Sequence, residues 1–260
     1  MPSKTAQLAR AGLLGALLTA SACANLPGDT FAPDHHEASP LDAATIRNLA
    51  VASASTLRPE TLWVATSTDW ATGARDVYAA ATAHVTEESE SRAPGTWAVV
   101  LDVDETVLNN IVYQIERDRS GTTFSPESWA SWTARREAGL VPGARDFLET
   151  VRTLGGHVAL VTNRRSREQF DTEANLRALG IRRGELFDVL LTRGDTGPSA
   201  KGARFALVGP LLEAQGLGDV EIIGYVGDAV GDRPANTTLP FFCIDQGGIY
   251  GEPCARTQMP

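Results

Sequence analysis

The sequence predicts an α/β fold built on a parallel sheet, and three observations carry that prediction. Short apolar runs at Val99–Leu101, His157–Val161 and Glu221–Val226 are rich in β-branched residues and barely alternate with polar ones, the pattern of strands covered on both faces. Helical stretches separate these runs, which requires parallel strands joined by right-handed crossovers. Each run ends in polar residues suited to chemistry: Asp102-Val103-Asp104, Thr162-Asn163 and Gly227-Asp228. Ligands of such sheets bind beyond the carboxyl ends of the strands.

The elements follow in order. Residues 24–43 hold Pro27, Gly28, Pro33 and Pro40 and read as a tether without regular structure, His35-His36 included as solvated linker residues. From Ala44 to about Ala83 the chain is alanine-rich, with Trp63, Trp70 and Tyr78 near helical spacing, and predicts helices packed on the core. After the first strand, Asn109–Gly143 carries Tyr113, Phe124, Trp129 and Trp132 without strand alternation and reads as a mostly helical cap over the sheet edge. Pro142-Gly143 starts a helix over Ala144–Leu154. A helix over Glu168–Leu179 stops at Gly180, a short strand covers Val189–Leu191, a helix spans Ala203–Gln215, and a terminal strand covers Leu239–Ile244.

Length and charge narrow the function. The 260 residues suit one sizeable domain, residues 44–260, preceded by short leader and tether segments. A net charge of −9 with no basic stripe excludes a nucleic-acid polymer as partner but allows a small phosphorylated substrate held by local cations. Residues 1–22 have a secretory layout, with Lys4 and Arg10 before the short apolar run Ala11–Ala20. That run is too short to span a membrane. Ala20-Ser21-Ala22-Cys23 resembles a bacterial lipoprotein box with Cys23 as the lipidated residue, although plain cleavage after Ala-Ser-Ala fits the same residues. With Ala24 following, the resemblance implies an outer-membrane lipoprotein; plain cleavage implies a periplasmic protein. Cys243 and Cys254 are either a disulfide pair, as an oxidising compartment favours, or two thiols.

Asp102 and Asp104 share a face if their strand continues, which puts two carboxylates side by side at the sheet's edge. Such a pair needs a cation or a strong set of hydrogen bonds, because like charges repel and desolvation is costly. Asp228, Asp232 and Lys201 reach the same edge from later segments.

This order of residue types resembles the haloacid dehalogenase (HAD) superfamily. Asp102-Val103-Asp104-Glu105-Thr106-Val107-Leu108-Asn109-Asn110 followed by Tyr113 is similar to the signature of its class C acid phosphatases, the bacterial lipoprotein 5′-nucleotidase type (subfamily IIIB). Further matches are Val141-Pro142-Gly143-Ala144, Val161-Thr162-Asn163-Arg164, Ser199-Ala200-Lys201 with Arg204-Phe205, and Tyr225-Val226-Gly227-Asp228, over about residues 60–255. The chain departs from the family at Gly227-Asp228-Ala229-Val230-Gly231-Asp232-Arg233. There the acids are kept, but the asparagine, leucine and phenylalanine of Gly-Asp-Asn-Leu-x-Asp-Phe are not.

The resemblance implies a HAD-like, three-layer Rossmannoid parallel sheet with a mostly helical cap. It also implies a Mg²⁺-dependent acid phosphatase acting on phosphomonoesters, nucleoside 5′-monophosphates among them, through an aspartyl-phosphate. Asp102 would be the nucleophile and Asp104 the general acid and base. Asp102, the carbonyl of Asp104 and Asp228 would hold the metal, with Asp232 orienting a metal-bound water from behind. Thr162, Asn163 and Lys201 would hold the phosphoryl oxygens. Phe124 and Tyr250 match positions where aromatic rings sandwich a nucleobase, or else serve as cap core and loop anchor. A homodimer is also implied. Two other readings compete: a surface-binding lipoprotein whose HAD fold has lost catalysis, and a phosphatase or phosphotransferase for another small ester. The retained pair Asp102 and Asp104 argues against a binder.

Overall fold

The computed structural model describes residues 40–250 and Cys254. The leader 1–22, Cys23, His35-His36 and nearly all of the tether lie outside the described residues.

Three helices open the described chain: α1 (Ala43–Ala52), α2 (Pro59–Thr66) and α3 (Thr68–Ser89). Asp42 caps α1 by accepting the Thr45 N–H at 2.9 Å, and the Ser67 hydroxyl caps α3 through Asp69 and Trp70. Pro59 sits in the first turn of α2, where its missing N–H costs nothing. The expected helices are present, and α3 runs six residues beyond Ala83.

The main sheet comprises β1 (Trp97–Leu101), β4 (His157–Arg165), β5 (Val189–Arg193), β6 (Glu221–Gly227) and β7 (Phe241–Cys243). Its order is β5-β4-β1-β6-β7, and every pairing is parallel. All five residues of β1 are buried, as a central parallel strand requires. Their side chains feed two cores. Trp97, Val99 and Leu101 join the cluster that contains α3 residues and Phe147, Leu148 and Val151 of α6 (Ala144–Thr153). Ala98 and Val100 join Val208 and Leu212 of α8 (Gly202–Ala214). Helices thus cover both faces, giving the three layers expected; α7 (Gln169–Ala178) adds Leu176 to the first core.

Between β1 and α6 lies the cap. Helices α4 (Ile111–Ser120) and α5 (Pro126–Arg135) are flanked by β2 (Leu108–Asn109) and β3 (Gly139–Leu140). The last two pair antiparallel and tie the ends of the cap together, a ladder that the expectation of a cap without strands did not contain. Two residues per strand are too few for a period of two to register. Gly121, left-handed at φ 64°, ends α4, and Ser125 with Ser128 forms a capping box that starts α5. Elsewhere β4 extends four residues past Val161, and β7 is shorter than Leu239–Ile244.

Candidate active site

The ladder continues one bond beyond β1, with Asp102 N–H donating to the Val226 carbonyl at 3.0 Å. Asp102 and Asp104 then face the same cavity of about 320 Å³ at the carboxyl ends of the strands. The chain turns sharply at Glu105, a non-glycine residue at φ 54°, and Glu105 Oε1 accepts the Asn110 N–H at 2.9 Å. Tyr78 of α3 braces the same turn by donating its hydroxyl to the Thr106 carbonyl at 2.7 Å.

Three distant segments meet here. Carboxylate oxygens of Asp102, Asp228 and Asp232 lie within 4.8 Å of one another, and all three residues are buried. Lys201, only 4% exposed, places its ammonium against Asp102 and 2.6 Å from Asp232 Oδ1. Asp232 also accepts the N–H groups of Asp228 at 3.1 Å and Ala229 at 2.9 Å, which fixes the loop after β6. Gly227 permits this closure: a Cβ there would overlap the Asp232 side chain.

Three acids face one ammonium, so charge is unbalanced. Burial pushes Asp102 up to about 7, aided by Asp232 and Asp104 and opposed by Lys201. Burial also holds Asp228 well above the usual carboxylate range, with Asp232 and Asp102 adding to it. Lys201 is held above its ordinary value although burial works against its charge, because Asp102 and Asp232 flank it. Beside the site, Glu105 is pushed up to about 8 by burial and then by Asp104, against the Asn110 hydrogen bonds. A cluster of hard oxygen donors with surplus negative charge, buried where that charge is costly, fits a divalent cation of the magnesium type.

Asp104 stands differently. Its Oδ1 accepts Arg164 Nε at 2.9 Å and Nη2 at 2.8 Å, and the Asn110 side-chain amide at 2.9 Å. The carboxylate of Asp104 therefore lies with Arg164, which leaves its carbonyl for the expected metal contact. The carboxylate of Asp232, expected behind the metal, lies within the same acidic cluster.

Of the three residues expected to hold phosphoryl oxygens, Lys201 and Asn163 line the cavity. Thr162 does not. It is fully buried, and its hydroxyl accepts the Arg164 N–H at 3.0 Å. Thr162 is buried, whereas the next residue, Asn163, is exposed. Asn163 Oδ1 accepts Arg204 at 2.7 Å, and Arg204 also donates to the carbonyls of Thr162 and Ser199. Phe124 and Tyr250 both line the cavity and are 53% and 42% exposed, so neither is core; Trp129 joins them. The Tyr250 hydroxyl accepts from Gln114 at 2.6 Å. Cys243 and Cys254 form a disulfide with Cα atoms 6.1 Å apart, and the Cys254 sulfur lies 3.2 Å from the Asp228 carbonyl.

Two residues escaped the sequence reading. Arg164 was visible as part of a motif but without a role; its signal was a run of arginines, with Arg165 and Arg167, directly after an apolar strand run. Asn110 gathers Asp104, Glu105, Arg164 and Trp132 around one amide, a convergence no spacing announces.

Residues 33–238 match the family model for HAD superfamily, subfamily IIIB (acid phosphatase). The chain belongs to this family. Among solved structures, the class C acid phosphatase from Bacillus anthracis superposes with a TM-score of 0.57 at 24% identity, covering 68% of this chain and 70% of that one. The same enzyme with tungstate bound matches with a TM-score of 0.57 at 23% identity over the same shares. These likenesses show the common fold. Membership of subfamily IIIB makes the chain a phosphomonoesterase, and the cavity bearing Asp102 and Asp104 is its candidate active site.

Proposed function

We propose that this acid phosphatase hydrolyses small phosphomonoesters, nucleoside 5′-monophosphates among them, with Mg²⁺ and through a phosphorylated Asp102. The observation that carries the proposal is the meeting of Asp102 with Asp104, Lys201, Asp228 and Asp232 at one cavity. Asp102 Oδ attacks phosphorus in line with the ester oxygen, and the bond to that oxygen breaks as the new one forms. Asp104, oriented by Arg164 and Asn110, gives its proton to the departing alkoxide. It then takes a proton from water, whose oxygen attacks the aspartyl-phosphate and releases phosphate with Asp102 restored. Lys201 offsets charge on the phosphoryl oxygens, with Asn163 beside it. Asp102, Asp228 and the Asp104 carbonyl would hold magnesium, Asp232 lying alongside; once bound it would supply further charge neutralisation at the transferring group.

Phe124, Trp129 and Tyr250 offer π-faces at the cavity, which suits a nucleobase and tolerates any of them. The leader and Cys23 support secretion and a lipid anchor in the outer membrane, or a periplasmic location if cleavage alone occurs. Phosphate release from a panel of nucleoside monophosphates and sugar phosphates, with and without magnesium, tests the substrate and the metal. Equal rates across the panel would set aside the nucleotide preference. Undiminished turnover after chelation would set aside the metal.

A further inference from the structure

In a chain where 32 acids outnumber 23 lysines and arginines, an arginine at a cavity without an acidic partner is conspicuous. Two stand together on this one. Arg165 ends β4 and Arg193 ends β5, and they are direct partners in the parallel ladder, so their side chains leave the same face. Both line the active-site cavity. Among the described residues, neither guanidinium has a carboxylate within ion-pairing distance, whereas the adjacent Arg164 and Arg167 are each beside one. Arg193 Nε is buried with no hydrogen-bond partner at all. A buried donor left this way normally finds a ligand or ordered water.

The nearby acids are engaged elsewhere. Glu168 accepts the backbone N–H of Arg165 at 2.9 Å and lies 3.8 Å from Arg167 Nε. Asp195 accepts the Ser166 hydroxyl at 3.2 Å and the Arg167 N–H at 3.3 Å. Arg204, behind this wall, gives its hydrogen bonds to neutral oxygens of Thr162, Asn163 and Ser199. Positive charge is therefore concentrated on the side of the cavity built from the ends of β4 and β5, with the Ser199 segment beside it.

We propose that Arg165 and Arg193 form a second anion subsite, which takes a second phosphate group of the substrate while its scissile phosphate faces Asp102. Guanidinium forks match phosphate oxygens in pairs, and two forks side by side suit a dianionic group. The preferred substrates are then phosphomonoesters that carry a second phosphate group, as nucleoside 3′,5′-bisphosphates do. This rests on the phosphomonoesterase reading of the cavity, yet its test does not need turnover.

The test is calorimetric titration of the full-length Asp102→Asn chain, which would not consume its ligand, in magnesium buffer. The probes are adenosine 5′-monophosphate, 3′,5′-bisphosphate and 5′-diphosphate. The subsite predicts that at least one doubly phosphorylated probe binds about tenfold tighter than the monophosphate. That preference collapses towards unity when Arg165→Gln and Arg193→Gln are added, and Arg193→Lys, which keeps the charge, retains part of it. Thermal melts of each variant confirm folding before titration. Equal affinity for all three probes, or a preference that survives both glutamine substitutions, overturns the subsite. Failure of the phosphatase reading shows separately, as wild-type chain releasing no phosphate from the monophosphate.

Discussion

Arg164 holds Asp104 by two nitrogens, Nε at 2.9 Å and Nη2 at 2.8 Å from the same carboxylate oxygen. The arginine is 1% exposed, and its remaining nitrogen donates to Thr172 at 3.2 Å, so it cannot swing away. Asp104 is therefore aimed by Arg164. Arg164→Met should cost about 3 kcal/mol of stability by stranding a partly buried carboxylate, measured by denaturant unfolding. Turnover should fall on the order of a hundredfold for alkyl phosphates and much less for p-nitrophenyl phosphate, whose leaving group needs little protonation. Equal losses on both substrates would mean Arg164 acts on the fold alone.

Asn110 gives a related expectation. Its carbonyl accepts Trp132 Nε1 at 2.8 Å while its amide nitrogen reaches Asp104, joining cap to catalytic loop. Asn110→Ala should destabilise the protein by about 2 kcal/mol, because the indole N–H is left buried without a partner. Asn110→Ala combined with Trp132→Phe should cost less than the two single changes added together. Additive losses in a double-mutant cycle would show that the two residues do not interact.

Gly227 is fixed by proximity rather than by its backbone angles. The Cβ of alanine there would lie 2.5 Å from Asp232 Oδ2 and closer still to Asp232 Cβ. Gly227→Ala should push Asp232 off Lys201 and weaken magnesium affinity, read by titrating metal against activity. Unchanged metal dependence would show that Asp232 has no part in holding the site.

A pH effect is expected far from the chemistry, where Arg58 at the start of α2 grips Asp118 on α4. Asp118 accepts the Arg58 N–H at 3.0 Å and its Nε at 2.8 Å. Burial alone would raise the Asp118 carboxyl, but hydrogen bonds from Thr61 and Arg58 outweigh it and hold it below the usual range. A folded value below the unfolded one means stability that is full above the unfolded pKa and is lost as pH falls through the folded one. Asp118→Asn should therefore be about 1 kcal/mol less stable than wild type at neutral pH, the arginine side being half open to solvent. The gap should close on acidification towards about pH 3. A gap that persists there would assign the effect to shape rather than charge.

Much of this was legible in the residues because it rests on local pattern. β1 reads as a buried strand from Val99-Val100-Leu101 alone, and Asp102 and Asp104 follow from where that strand ends. Strand order brings Lys201, Asp102 and Asp232 to one sheet edge, but their contacts there were not legible, since nothing in their spacing pairs the ammonium with these two acids. The grip of Arg164 on Asp104 was not legible, because an arginine after a strand is usually a surface residue. The β2–β3 ladder was missed for its brevity. Thr162 was placed at the phosphate by its motif, but it is buried with its hydroxyl on the Arg164 N–H, a contact that the sequence does not announce.

The central claim is that Asp102 accepts the phosphoryl group. Its most direct test is rapid acid quenching of the enzyme during turnover of a nucleoside monophosphate with magnesium, followed by peptide mass spectrometry. One added phosphoryl group on Asp102, absent from Asp102→Asn, is the expected result. A label on any other residue, or none during steady turnover by a quench fast enough to trap it, would contradict it.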